Sequence, residues 1–299
     1  MTARALLALV RLLAWLPLPV LRALGAGLGG LLYRLAASRR RVVQVNLRLC
    51  FPAMPSAERE RVARAVFRVV VQSWLDRGWL WQASEATLRQ RLRWTPGSVE
   101  RLAERVAAQR PIVLFAPHFA GLDAAWTALA LQFPQQPMVT LYGRQSNRAL
   151  DAWFRAGRAR LGRVRLVARH EGVREAARAL KSGEWLYLLP DMDLGARESV
   201  FVPFFGVSTA TVPSLTRFAQ LGGAQVLPVI ARLVPEGYRI DALPAWDDVP
   251  SGDALADTAR MNERLAAWIT PEPAQYYWVH KRFKTRPPGE PPPGPYQKS

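Results

Sequence analysis

The sequence predicts an α/β fold: a central sheet, largely parallel or mixed, flanked by helices and preceded by an N-terminal apolar segment that anchors the chain to a membrane. Three observations carry that expectation. Short apolar runs of strand length alternate with helical segments between Pro111 and Leu189, the signature of strand–helix–strand units. About half of the 299 residues are apolar, enough to bury a full core. Ahead of this alternation, Ala5 to Ala37 is strongly apolar yet broken by Pro17 and Pro19.

Residues 1–41 form the expected anchor. A clean span needs roughly 20 uninterrupted apolar residues, whereas Arg11, Arg22 and Arg34 interrupt this stretch. Arg4 and Arg11 are seven apart on one helical face, so the part before Pro17 reads as an amphipathic helix in the interface, leucines down. Val20 to Tyr33 is too short to span alone, and the pair reads as an interfacial hairpin or kinked anchor in preference to a single span. No small-residue cleavage site with a polar mature start follows. Instead Arg39, Arg40 and Arg41 hold that end at the cytoplasmic leaflet.

Residues 42–286 form one domain without an internal boundary. Ser56 caps a long amphipathic helix with Glu58 and Glu60 in its first turn and Val62, Val66, Val69, Val70 and Trp74 on one face. A helix from Ser98 to Gln109 leads into the run Pro111 to Ala116, a buried strand. The spacing then predicts helices at Leu122 to Leu131, Asn147 to Arg160 and Val173 to Lys181, alternating with strands at Met138 to Tyr142, Val164 to Val167 and Trp185 to Leu189. Phe201 to Gly206 reads as irregular, Pro213 to Gln220 as a helix, Gln225 to Leu233 and Tyr238 to Leu243 as a paired hairpin, and Ala254 to Ile269 as the last helix. Residues 287–299 form a disordered tail whose repeated Pro and Gly cannot build a core.

The formal charge of +18, from 41 basic against 23 acidic residues, favours anionic partners such as phosphates, acidic lipids or an acidic carrier protein. Only four of the basic residues are Lys; codon bias and selection for planar phosphate forks explain that equally well. The lone cysteine, Cys50, excludes an intramolecular disulfide framework and a multi-cysteine metal site. No metal triad, Walker-type loop or Gly-x-Ser-x-Gly elbow occurs, so no metal or cofactor is implied.

The chemistry centres on Pro117-His118-Phe119-Ala120-Gly121-Leu122-Asp123, where a buried strand ends and a helix begins, the usual ligand crevice of an open α/β sheet. Within one ideal helix His118 and Asp123 would point about 140° apart. His118 therefore precedes the helix, in a turn shaped by Pro117 and Gly121, so that the Asp123 carboxylate reaches its ring. Asp123 would then fix the imidazole tautomer while the other ring nitrogen takes a proton from an alcohol. By itself such a pair also occurs as a satisfied structural contact.

The context decides between the two. Beyond His118 and Asp123, the blocks Asn46 to Pro52, Tyr142 to Asn147, Pro190 to Gly195, Val200 to Gly206, Leu227-Pro228 and Tyr277 to Lys284 follow in order along nearly the whole chain. In these the sequence resembles the late acyltransferases of lipid A biosynthesis, lauroyl and myristoyl type, within the glycerolipid and lysophospholipid acyltransferase superfamily marked by His, four residues, then Asp or Glu. The resemblance implies acyl transfer from acyl carrier protein to a hydroxyl of a lipid A precursor, at the cytoplasmic face of the bacterial inner membrane, with His118 and Asp123 as the catalytic dyad.

Further binding candidates lie at expected strand ends or in these blocks: Arg144, Asn147 and Arg169 within an arginine-rich stretch suited to phosphorylated sugars or an acidic carrier; Asp191 and Asp193, orienting Arg169 or a sugar hydroxyl, or capping a turn; and Phe204 and Gly206, in an apolar segment that lines an acyl channel or belongs to the core. Arg155, Arg158 and Arg160 serve equally as a solvated helix face. His170 reads as surface and His280 as part of a structural or carrier-docking patch. Two other functions remain open: an acyltransferase of the same superfamily acting on lysophosphatidate, an ornithine lipid or another glycolipid, and a non-enzymatic basic membrane-binding protein. Nucleic acid is disfavoured, because the aromatics sit inside apolar runs and form no exposed stacking platform.

Overall fold

The structure, a computed structural model, describes residues 3–168, 172–290 and 294–297. Among these, nine strands run in chain order: β1 (Leu92–Trp94), β2 (Ile112–Phe115), β3 (Met138–Tyr142), β4 (Val164–Ala168), β5 (Trp185–Leu188), β6 (Val200–Phe204), β7 (Val207–Thr211), β8 (Gln225–Val234) and β9 (Gly237–Ala242). Seven form a central sheet in the order β1-β9-β8-β2-β5-β3-β4. β2, β3, β4 and β5 pair in parallel, as the alternation predicts, and the β8–β9 hairpin makes the sheet mixed.

The helices are α1 (Ala3–Leu13), α2 (Leu18–Leu35), α3 (Ala37–Cys50), α4 (Ser56–Leu80), α5 (Glu85–Arg91), α6 (Ser98–Ala107), α7 (Leu122–Gln132), α8 (Arg148–Arg158), α9 (Val173–Lys181), α10 (Ser214–Gly222) and α11 (Ala254–Ile269). All four β2 residues are buried, and strand alternation sends them to opposite faces. Val113 and Phe115 join the core under α3, α9, α10 and α11, with Leu47, Leu180, Phe218 and Leu265. Ile112 and Leu114 join the core under α1, α7 and α8, with Val10, Leu129 and Trp153. The helices thus cover both faces of the sheet.

Two departures from the sequence reading have local causes. The segment expected to be irregular is the hairpin β6–β7. Pro203 reads as a breaker, but an isolated two-stranded ribbon tolerates a residue without an N–H. Its two-residue turn, Phe205 and Gly206, has φ of 51° and 76°, the positive values that match hairpin twist. Near the N-terminus, α2 lies along α4. A Cβ on Gly29 would come within 2.6 Å of Arg68 Cα, so only glycine permits this approach. Arg22 of α2 forms a 3.0 Å ion pair with fully buried Asp76, which also accepts from Tyr238 Oη and Trp79 Nε1.

The first two helices are therefore packed on the domain through one face, while the other stays open: Leu9, Leu12, Trp15, Leu28, Leu31 and Leu35 are all exposed, Trp15 by 84%. Among the described residues no single helix is long and apolar enough to cross a membrane; α2 and α3, bent by 94°, reach that length and composition together. In the proline-rich tail, the Tyr296 hydroxyl donates to Asn46 Oδ1 and accepts from Phe283 N–H.

Candidate active site

Register builds the site. β2 and β5 pair in parallel with Phe115 opposite Leu188. His118 and Asp191 each lie three residues beyond those partners, so the sheet delivers both to the same edge, where the carboxyl ends of parallel strands open a crevice. Asp191 Oδ1 accepts from His118 Nδ1 at 2.7 Å, and Oδ2 accepts from the His118 backbone N–H at 2.8 Å and Tyr276 Oη at 2.9 Å. Burial pushes the Asp191 carboxyl up, but the charge and hydrogen bonds of His118 and the bond from Tyr276 outweigh it and hold it below the usual carboxylate range. With Nδ1 committed to Asp191, His118 keeps Nε2 for the cleft, where its ring is about one-fifth exposed.

The turn carrying His118 is tied on both sides. Ala120 N–H donates to Gln275 O, Tyr277 N–H donates to His118 O, and Gly121 N–H donates to Ala231 O. At Gly121 a Cβ would fall 2.5 Å from that same oxygen, so glycine is required for the approach.

Asp123 differs from the sequence reading. It stands in the first turn of α7, fully buried, and its two oxygens accept from Arg77 Nε and Arg158 Nε, each at 2.7 Å. Burial pushes its carboxyl up, and the charges and hydrogen bonds of Arg158 and Arg77 pull it down to about 2. The helix start turns this side chain towards α4 and α8, and the carboxylate on the His118 ring is Asp191. Arg77 and Arg158 both pack over the Phe154 ring, Arg77 also over Trp74, and both line the cleft.

The cleft has a volume of about 970 Å³. Helices α4 and α8 supply Val70, Trp74, Arg77, Phe154 and Arg158 to its wall, and β3, α9, α10 and the loop after β5 supply Leu141, Val173, Leu194, Phe218 and Leu221. The first arm is thus aromatic and cationic; the second is mainly aliphatic, with Phe218 in it and Arg197, Glu198 and Arg217 beside it.

Comparison with known proteins fits this geometry. The family model of bacterial lipid A biosynthesis acyltransferases matches residues 2–285. The chain is 35% identical to the lipid A biosynthesis lauroyltransferase of Escherichia coli K12, over 94% of this chain and 90% of that one. It is 32% identical to the lipid A biosynthesis myristoyltransferase of the same strain, over 91% and 82%, and 33% identical to a lipid A biosynthesis acyltransferase of Haemophilus influenzae, over 93% and 86%. The chain belongs to the bacterial lipid A biosynthesis acyltransferases.

In this acyltransferase the remaining candidate residues divide. Asn147 caps α8, accepting from Ala149 and Leu150 N–H. Arg144 is exposed beside the cleft-lining Gly143 and Gln145. The Asp193 carboxylate accepts from Gly195 N–H, Thr285 N–H and Thr285 Oγ1, tying this loop to the segment after the last helix. Phe204 is core, packed against Tyr276, Trp278 and Phe283, and Gly206 sits in the hairpin turn; neither lines the cleft. Arg169 and His170 lie outside the described residues. His280 Nε2 accepts from Asp193 N–H, and burial, with the nearby Arg282 charge, pulls it down to about 4. Sequence reasoning missed Arg77 altogether and left Arg158 level with a solvated face. The signal was their shared partner, Asp123, which only the fold reveals.

Proposed function

We propose that this acyltransferase moves a fatty acyl chain from an acyl carrier protein thioester to a hydroxyl of a lipid A precursor at the cytoplasmic face of the inner membrane. His118 is the general base, and Asp191 orients it. The observation that carries this reading is the 2.7 Å bond from His118 Nδ1 to Asp191 at the cleft floor. A carboxylate there favours the tautomer with Nε2 unprotonated, so Nε2 can take the proton of the acceptor hydroxyl as its oxygen attacks the thioester carbonyl. The C–S bond then breaks, and the imidazolium returns the proton to the leaving thiolate.

Asp123 acts on the acceptor side. It holds both guanidiniums through Nε, and Ser73 O takes Arg77 Nη1, so Arg77 Nη2 and the two terminal nitrogens of Arg158 are the donors presented to phosphate oxygens. Transfer is direct. Cys50 is buried on α3 and does not line the cleft, and burial pushes its thiol well up, which disfavours the thiolate that covalent catalysis needs.

The exposed leucines of α1 and α2, with Trp15 in the turn between them, supply the apolar face, and the basic surface the attraction to anionic lipid, that interfacial binding needs.

The test is reconstitution: purified enzyme, acyl carrier protein thioester and lipid A precursor in mixed micelles, with product mass and released thiol measured together. One added acyl group per thiol released supports the reading. Acylation of lysophosphatidate or an ornithine lipid in preference to the lipid A precursor overturns the acceptor assignment, and thiol release without acylated lipid overturns the reaction.

A further inference from the structure

The aliphatic arm of the cleft opens between α9 and α10, and its rim combines two features that bear on the donor. Val173, Leu194 and Leu221 line the cleft and are exposed by 56%, 49% and 50%. An apolar mouth of this kind is costly to leave wet unless something covers it. Arg197 and Arg217 line the cleft beside these side chains, and Arg174 and Arg178 are exposed on α9, the helix that Val173 begins; none of the four has an ion-pair partner among the described residues. Arg174 and Arg178 are four apart on the outer face of α9, whose inner face buries Ala176, Ala179 and Leu180. Opposing charge is scarce. Among the described residues lining the cleft Glu198 is the one carboxylate, and Glu175 on α9 is engaged by Arg165 at 2.6 Å.

We infer that the basic rim between α9 and α10 is the docking surface for the acidic acyl carrier protein, which there passes its thioester-bound chain along the aliphatic arm to His118. The inference rests on the donor assignment made above. Charge complementarity selects an acidic partner. The packing favours a protein over a bilayer: α9 and α10 cover the Val113 and Phe115 face, whereas the open leucines belong to α1, on the Ile112 and Leu114 face, and to α2, packed along α4. Membrane and carrier then meet the molecule on different sides, and acceptor and donor reach His118 from different arms.

The experiment is a steady-state comparison of the full-length wild type with Arg174→Glu/Arg178→Glu, using acyl carrier protein thioester and, separately, the small donor acyl-pantetheine. The carrier-borne donor should show a KM raised roughly 10- to 100-fold, the scale of placing like charges across a docking face. The rate with acyl-pantetheine, the acceptor KM and sedimentation with phosphatidylglycerol vesicles should stay within about twofold, which also reports that the variant is folded. The milder Arg174→Ala/Arg178→Ala should fall between. An unchanged carrier KM overturns the docking site. A loss confined to acceptor KM or vesicle binding assigns the face to glycolipid or bilayer and overturns it as well. Failure of the donor assignment looks different: the wild type itself would then use acyl-pantetheine as well as the carrier thioester.

Discussion

Replacing Asp191 by Asn tests the role of the carboxylate with almost no change in shape. Oδ2 of Asp191 accepts from the His118 backbone N–H, at 2.8 Å, and from Tyr276 Oη. The backbone donor cannot reverse, so the oxygen of the substituted amide must take that side, and its NH₂ must face His118 Nδ1. Nδ1 then becomes the acceptor, and the ring proton moves to Nε2. The nitrogen facing the cleft loses the lone pair that accepts the substrate proton. Losing a positioned base costs on the order of 10² to 10⁴ in turnover, about 2.7 to 5.4 kcal/mol of transition-state stabilisation. All three hydrogen bonds survive in altered polarity, so the folded state should lose no more than about 1.5 to 3 kcal/mol, the worth of charge assistance. The assay is acyl transfer by purified enzyme at saturating donor and acceptor, with a thermal melt on the same sample. A folded Asp191→Asn enzyme retaining a third or more of wild-type kcat would refute the orientation of His118 by Asp191.

Three other expectations follow from the same geometry. Asp123→Asn strands two partly buried guanidiniums and should destabilise the protein by about 3 to 5 kcal/mol, and in the wild type the stability this carboxylate contributes is complete above pH 4 and lost as pH falls towards 2, because its folded value of about 2 lies below the unfolded one; chemical denaturation across that range reads both. His280 has the same low-pH sign by the opposite chemistry: held neutral with a folded value of about 4, it makes stability fall as pH drops from about 6.5 towards 4, since the unfolded chain takes up the proton first, and His280→Gln should flatten that slope. Leu12→Asp with Trp15→Asp removes apolar contacts worth roughly 1.5 to 3 kcal/mol each and should lower vesicle partitioning by about 10² or more, measured by flotation, while the melt is unchanged because neither residue is buried. Deleting the whole segment before Val42 is a poorer experiment, for it also removes Arg22 from Asp76.

Most of the sheet was legible because its strands are short apolar runs separated by amphipathic helices: Met138 to Tyr142 and Val173 to Lys181 match the observed bounds. The β6–β7 hairpin was not, since Pro203 and Gly206 read as breakers and nothing local announces a two-stranded ribbon outside the main sheet. The site divides in the same way. His118 was visible from its place at the end of a buried strand. Its partner was not: Asp191 is 73 residues away, and only the β2–β5 register makes them neighbours. Asp123, close in sequence and of the right chemistry, was the nearer choice, and the start of α7 turns it to Arg77 and Arg158 instead.

The central claim is that Nε2 of His118 is the base that draws the proton from the acceptor hydroxyl. It is tested most directly by the rate of acyl transfer from acyl carrier protein thioester to lipid A precursor in folded His118→Ala enzyme. A turnover reduced on the order of 10² to 10⁴, with both substrates still bound near wild-type affinity, is the expected result; transfer at a rate close to wild type would contradict the account.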